Sequence, residues 1–198
     1  MVARSISTDS DSGDLLLVGS GDDAAVERLL DRWRQPLYAL FERTREPSAA
    51  AEAAAEVFAT LMRSATRYDP ARPFAVHFWG LSARHMQGSG AAPVAVIPPM
   101  HLRESASART AFLRSAVSAL PPAERAAFLL TRVVKLPVPT AAAAVGISEG
   151  ELKRRLVRAF ERLQESLQPL LDMPSEAAGN GGGEAEETLV LEAGSVPS

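Results

Sequence analysis

Apolar residues in this chain recur at intervals of three and four, and this spacing dominates residues 14–87 and 109–171. Such a period places them on one face of an α-helix. No alternation typical of a β-strand is sustained in either stretch. The sequence therefore predicts an all-α protein of two small helical domains, the second a helix-turn-helix domain.

Composition divides the chain further. Residues 1–13 are rich in Ser and Asp and are predicted to be disordered. Residues 88–108 are rich in Gly and Pro and are predicted to form a flexible linker between the helical domains at 14–87 and 109–171. Residues 172–198 contain a glycine run and several glutamates, and are predicted to form a disordered acidic tail.

Several classes of protein are disfavoured by the residues present. The chain contains no cysteine, and its three histidines are scattered, so neither disulfides nor a metal site is expected. No cofactor motif or nucleophile turn is evident, which indicates a protein that is not an enzyme. No signal peptide or membrane span is predicted, so we expect a cytoplasmic protein.

Charge is distributed unevenly along a chain whose net charge is only −3. Residues 109–171 hold ten bases and five acids, giving +5, whereas residues 172–198 hold six acids and no base, giving −6. A basic segment followed by an acidic tail is a marked asymmetry in a chain that is nearly neutral overall.

The stretch GISEGELKRRLVRAFERL, residues 146–163, sorts its side chains on a helical wheel. Leucines form one side, and arginines gather opposite them. A short helix, a turn at Gly146 and a longer helix capped by Ser148 form the order of a helix-turn-helix. The candidate DNA contacts are Ser148, Glu149, Glu151, Lys153, Arg154, Arg155 and Arg158. The alternative is an ordinary helix with a solvated charged face.

The C-terminal part of the chain resembles the promoter-binding domain at the C-terminus of extracytoplasmic-function (ECF) sigma factors of the sigma-70 family. The resemblance is carried by ALPPAERAAFLLTRVV and by LPVPTAAAAVGISEGELKRR with its continuation to Leu167. Residues 21–46 and 49–85 resemble the N-terminal domain of that family, with more differences. The resemblance covers about residues 14–171.

The resemblance implies a function: a sigma factor binds core RNA polymerase, directs it to promoters and is controlled in some cases by an anti-sigma factor. It implies that the helix beginning at Ser148 reads the minus-thirty-five element. Contacts to a flipped base of the minus-ten element are expected from Arg67, Tyr68, Arg72 and Trp79. Contacts to polymerase are expected from Glu52, Glu56, Val57 and Phe58.

Differences from the family pattern leave two alternatives open. Ala55 stands where the family has glutamine in the polymerase-binding helix, and His77-Phe78 stands where Trp-Leu is usual. One alternative is a sigma-derived DNA-binding regulator that no longer recruits polymerase productively. The other is a helical protein-interaction adaptor.

Overall fold

The computed structural model describes residues 8–88 and 106–171, and every regular element within them is a helix. An N-terminal half holds four α-helices and a C-terminal half holds another four. The elements are α1 (Thr8–Gly19), α2 (Asp23–Glu42), α3 (Pro47–Ser64), a 3-10 turn (Ala65–Arg67), α4 (Phe74–Gly88), α5 (Ala106–Ala119), α6 (Pro122–Phe128), a π-helical turn (Leu129–Val133), α7 (Val138–Val145) and α8 (Glu149–Leu171). The all-α prediction is confirmed.

Local sequence signals explain where α2 and α3 begin. The Asp22 side chain accepts hydrogen bonds from the backbone N–H groups of Ala24 and Ala25, at 2.9 and 3.2 Å. These two groups would otherwise have no partner within the helix. Pro47 occupies the first position of α3, where its missing N–H costs nothing. Pro36 lies on the exposed side of α2, and the helix continues through it to Glu42.

The core of the N-terminal half is built from aromatic rings. The ring centroid of Trp33 on α2 lies 5.0 to 5.8 Å from those of three rings on α4. All four rings are nearly or completely buried. Tilted and edge-on pairs at such distances add to the stabilisation from burial. The four rings are those of Trp33, Phe74, Phe78 and Trp79.

Residues 8–13, which were predicted to be disordered together with residues 1–7, belong to helix α1, whereas residues 1–7 lie outside the described residues. Asp11 and Asp14 are buried on the face of α1 that meets α2. Arg32 pairs with Asp11, and Arg28 donates from Nε to Asp14 at 2.9 Å. Burial of Leu15 completes the contact. The composition of this segment did not indicate a helix, because the arginines that neutralise its acids lie 14 to 21 residues further along the chain.

The two halves share one hydrophobic core. Its buried residues come from α1 to α4 and also from α6, α7 and the first turns of α8. The predicted helical regions at 14–87 and 109–171 are therefore packed against each other. Helix α5 begins at Ala106, inside the predicted linker, while residues 89–105 and the predicted acidic tail at 172–198 lie outside the described residues. Within the described residues, no helix is long and apolar enough to cross a membrane.

Candidate nucleic-acid interface

Helices α7 and α8 form a helix-turn-helix whose turn is fixed by Gly146 and Ser148. Gly146 has a φ of 78°, in the left-handed region that glycine adopts without strain. It closes α7 by donating its N–H to the carbonyl of Ala142 at 2.9 Å. Ser148 Oγ then accepts from the backbone N–H of Glu151 at 3.2 Å, which caps α8. Both predicted turn signals have these roles.

Helix α8 has the two faces that its sequence predicts. The buried side consists of Leu152 and Leu156, which belong to the shared core, and of Ala159 and Leu163, which belong to a smaller cluster. The opposite side exposes Lys153, Arg154, Arg158 and Arg162. A row of cations on a helix that follows a tight turn matches the backbone charge of a nucleic acid.

Glu151 organises the first part of this row. It accepts hydrogen bonds from Arg155 Nε and Arg154 Nε, both at 3.0 Å, and Arg158 Nη2 lies 3.5 Å away. The hydrogen bond from Arg155, followed by that from Arg154, holds the pKa of Glu151 below its ordinary value. Glu151 was predicted to contact DNA; here its carboxylate positions arginines.

Glu124 organises the second part of this row of cations, a role that no local sequence pattern indicated. It lies on α6, 7% exposed, with Arg158 Nε 3.4 Å from Oε1 and Arg162 Nε 3.0 Å from Oε2. The side chains of Arg158 and Arg162 are nevertheless 49% and 56% exposed. Each guanidinium therefore remains accessible on its outer side, where a phosphate could approach.

The predicted minus-ten residues divide into two groups. Arg67 and Arg72 are exposed, close to the loop between α3 and α4. Tyr68 and Trp79 are 6% and 2% exposed, so neither ring can stack on a base in this arrangement. The hydroxyl of Tyr68 donates to the carbonyl of Arg72 at 2.7 Å, which ties the loop to the helical turn. Both rings are core residues here because apolar partners surround them.

The predicted polymerase contacts on α3 divide in the same way. Glu52 and Glu56 are exposed, whereas Val57 and Phe58 are 2% and 6% exposed and belong to the core. The side chain of Glu56 extends toward His85 on α4, with 3.5 Å between Oε2 and Nδ1. Only the two acids can contribute to a docking surface as the protein is folded.

Comparison with known proteins finds a matching family model and a solved structure of similar fold. Residues 113–163 match the model of Sigma-70, region 4. These residues run from α5 into α8 and include α7, the turn and α8 as far as Leu163. No curated protein matches the chain.

The solved structure is that of CnrH in complex with the cytosolic domain of CnrY. The TM-score is 0.63 at 22% identity, and the match covers 80% of this chain and 97% of that chain. At this identity the likeness establishes a common fold. The match to region 4 covers about a quarter of the chain and agrees with the resemblance of its C-terminal motifs.

Proposed function

We propose that this protein is a sigma factor that binds core RNA polymerase and directs it to promoters. The observation that carries the proposal is the helix-turn-helix of α7 and α8, of which α7, the turn and the first part of α8 lie within the region 4 match. In this motif the N-terminal residues of the second helix enter the major groove. Ser148, Glu149, Lys153 and Arg154 occupy that position and are exposed.

The roles along α8 follow from position and bonding. Lys153 and Arg154 lie near the N-terminal end, where arginine can bond a guanine bidentately. Arg155 and Arg158 lie further along α8, away from its N-terminal end, where contact with phosphates is favoured. Among the proposed minus-ten and polymerase contacts, the exposed residues Arg67, Arg72, Glu52 and Glu56 remain.

Partners follow from this function. Core RNA polymerase and promoter DNA are the two required ones, and the protein would act in the cytoplasm, where both are found. CnrH was solved with the cytosolic domain of a second protein, CnrY. By analogy, we include a protein inhibitor of the anti-sigma type among the proposed partners.

Burial of Val57 and Phe58 favours one alternative, the DNA-binding regulator without productive polymerase recruitment. The deciding experiment is transcription in vitro with core polymerase on genomic fragments, with and without the protein. Specific transcripts that depend on the protein support the sigma function. DNA binding without transcripts or polymerase binding supports the regulator.

The polymerase surface is tested by Glu52→Arg, because Glu52 is exposed and its replacement reverses a charge without disturbing the core. Glu56 is less suitable, since it also faces His85 and Arg45. The matched control is Glu27→Arg, on an exposed part of α2. We expect weaker co-purification with core polymerase for Glu52→Arg alone; equal co-purification of both variants would remove Glu52 from the surface.

A further inference from the structure

Glu124 is a buried charged residue between two helices, and its position follows from the start of α6. Pro122 is the first residue of α6, and Glu124 lies in its first turn, where the partial positive charge of a helix N-terminus favours a carboxylate. Ala126 and Ala127 on the same helix are completely buried, and α6 packs directly on α8. The carboxylate therefore reaches the side of α8 that carries the row of cations.

Each oxygen of the Glu124 carboxylate faces a different arginine of α8. Oε1 lies 3.4 Å from Arg158 Nε, and Oε2 lies 3.0 Å from Arg162 Nε. The two arginines are four residues apart, so one carboxylate holds two cations that are separated by about 6 Å along the helix axis. Arg158 has a second acidic neighbour, because its Nη2 lies 3.5 Å from Oε1 of Glu151.

Stability alone does not account for this arrangement. Oε2 of Glu124 is closed to solvent and accepts no hydrogen bond of good geometry within the described residues, although Arg162 Nε is close. A buried carboxylate loses its hydration, and an ion pair repays that loss only where the geometry is good. Both arginines are about half exposed, which weakens their attraction for the carboxylate. What the carboxylate supplies is a fixed position for the two arginines.

Glu124 has two opposite effects on the binding of DNA by α8. Its negative charge reduces the attraction of the helix for every phosphate, whatever the base sequence. Its contacts also restrict the rotation of two long side chains, and this order favours only complexes whose phosphates lie where the guanidinium groups are held. Phosphate contacts set the register and orientation of a protein on the duplex. A fixed pair of such contacts therefore aligns Lys153 and Arg154, near the start of α8, with one set of base edges.

We propose that Glu124 is a positioning residue for promoter recognition, which holds Arg158 and Arg162 in place and thereby raises the discrimination of α8 between DNA sequences. The inference rests on the proposed sigma function. Glu124 is 7% exposed and acts through these two arginines, not through contact with DNA. The exposed outer sides of the arginines supply the phosphate contacts. The same carboxylate lowers the overall attraction for DNA, so discrimination is gained at the expense of affinity for unrelated sequences.

The ratio of two dissociation constants separates these effects, because the charge of residue 124 acts on all DNA alike and cancels in the ratio. The full-length protein is assayed in complex with core polymerase, with core polymerase alone as the blank. One duplex is selected by the wild-type complex from a random-sequence library, and the other has the same composition in shuffled order. The preference is the dissociation constant for the shuffled duplex divided by that for the selected duplex.

The variant Glu124→Gln removes the charge and keeps the size of the side chain. We expect tighter binding to the shuffled duplex and a preference that falls by about tenfold, since two arginines regain rotational freedom. The matched control is Glu161→Gln, because Glu161 is exposed on α8 beside Arg162, whose ion pair is with Glu124. The control should tighten binding to both duplexes equally. An unchanged preference in Glu124→Gln, or an equal loss of preference in Glu161→Gln, overturns the proposal.

A double-mutant cycle determines whether Glu124 acts through the two arginines. In a protein that carries Arg158→Ala and Arg162→Ala, the further change Glu124→Gln should leave the preference as it is. A purely structural role of Glu124 would lower the preference in this background too. That outcome would overturn the positioning role.

A second variant tests the proposal even if Glu124→Gln fails to fold. Arg158→Lys combined with Arg162→Lys keeps both charges but removes the Nε donors that face Glu124. Affinity for the selected duplex should fall more than affinity for the shuffled duplex, and a preserved preference would count against the proposal. If the wild-type complex enriches no sequence from the library, the proposed sigma function fails and this inference fails with it. An enriched sequence whose preference survives in these variants overturns only the role of Glu124.

Discussion

The two halves of the molecule obtain their packing from different side chains. The N-terminal half surrounds Trp33 with three large rings of α4 and buries two acids against arginines. Helix α7 of the C-terminal half buries alanines. The C-terminal half also has a small separate cluster, whose buried residues are Ala116, Leu120, Ala159 and Leu163. Large rings fill the space between four helices, whereas small side chains allow α7 to approach α4. The C-terminal half thus depends on its neighbour for much of its core.

The largest expected effect is on the free energy of unfolding, and it is measured by replacing one aromatic residue in each half. Phe78 is completely buried, whereas Phe160 on α8 is 42% exposed. We expect Phe78→Ala to lower the free energy of unfolding by about 3–5 kcal/mol, since it leaves a cavity. Phe160→Ala should cost about 1 kcal/mol, from lost contacts with Phe128 and Arg132. Urea denaturation measures both, and similar losses would contradict the contrast between the halves.

The next largest effect is on DNA binding, which we expect to depend on the basic face of α8 in the C-terminal half. Arg154→Ala should cost about 1–3 kcal/mol of binding and relax base preference at one position. Arg158→Ala should weaken binding to all sequences and reduce the logarithmic salt slope by about 0.9. Arg34→Ala, exposed on α2, is the control and should bind as the wild type does. Wild-type affinity in a triple alanine variant of Arg154, Arg155 and Arg158 would disprove DNA reading by α8.

A smaller effect on stability is expected from removing one helix cap in each half. Asp22 accepts two backbone hydrogen bonds at the start of α2, and Ser148 accepts one at the start of α8. Replacement of either by alanine should cost about 1 kcal/mol, more for Asp22, whose charge also favours a helix N-terminus. Hydrogen exchange should rise in the first turn of the affected helix. Loss of protection spread equally over both halves would show that the caps do not act locally.

The smallest effect is a pH dependence near neutrality that comes from histidines of the N-terminal half, since residues 109–171 contain no histidine. Burial, then the charges of Arg72 and Arg84, lower the pKa of His77 below its ordinary 6.5. The folded state therefore binds a proton less readily than the unfolded state. The contribution of His77 to stability is complete above pH 6.5, and it declines as the pH falls from 6.5 toward the pKa of His77 in the folded state.

Urea denaturation at about pH 7.5 and pH 5.5 measures this dependence. The variant His77→Phe keeps a ring against Tyr68 and should lose less stability on acidification than the wild type. Part of the decline should persist, because burial also lowers the pKa of His85. An identical decline in the variant and the wild type would exclude His77 as a source.

The sequence predicted most of the candidate interface but misplaced parts of the other sites. Gly146, Ser148 and the arginine face of α8 act over a few residues, so the local pattern reveals them. Tyr68, Trp79, Val57 and Phe58 carried the expected chemistry, but their exposure depends on neighbouring helices and was not predictable. Glu124 was missed because its arginine partners are 34 and 38 residues away.

By itself, the sequence determined the helices, their caps and the helix-turn-helix, because hydrogen bonds and side-chain contacts within three or four residues set them. Only the tertiary structure decided that α1 extends back to Thr8, that Glu124 binds the arginine row, and that α4 packs on α7. Each of these depends on surfaces brought together from distant parts of the chain. Their fit at single atoms, such as the space that Gly80 leaves for the Ala144 carbonyl, has no periodic signature in the sequence.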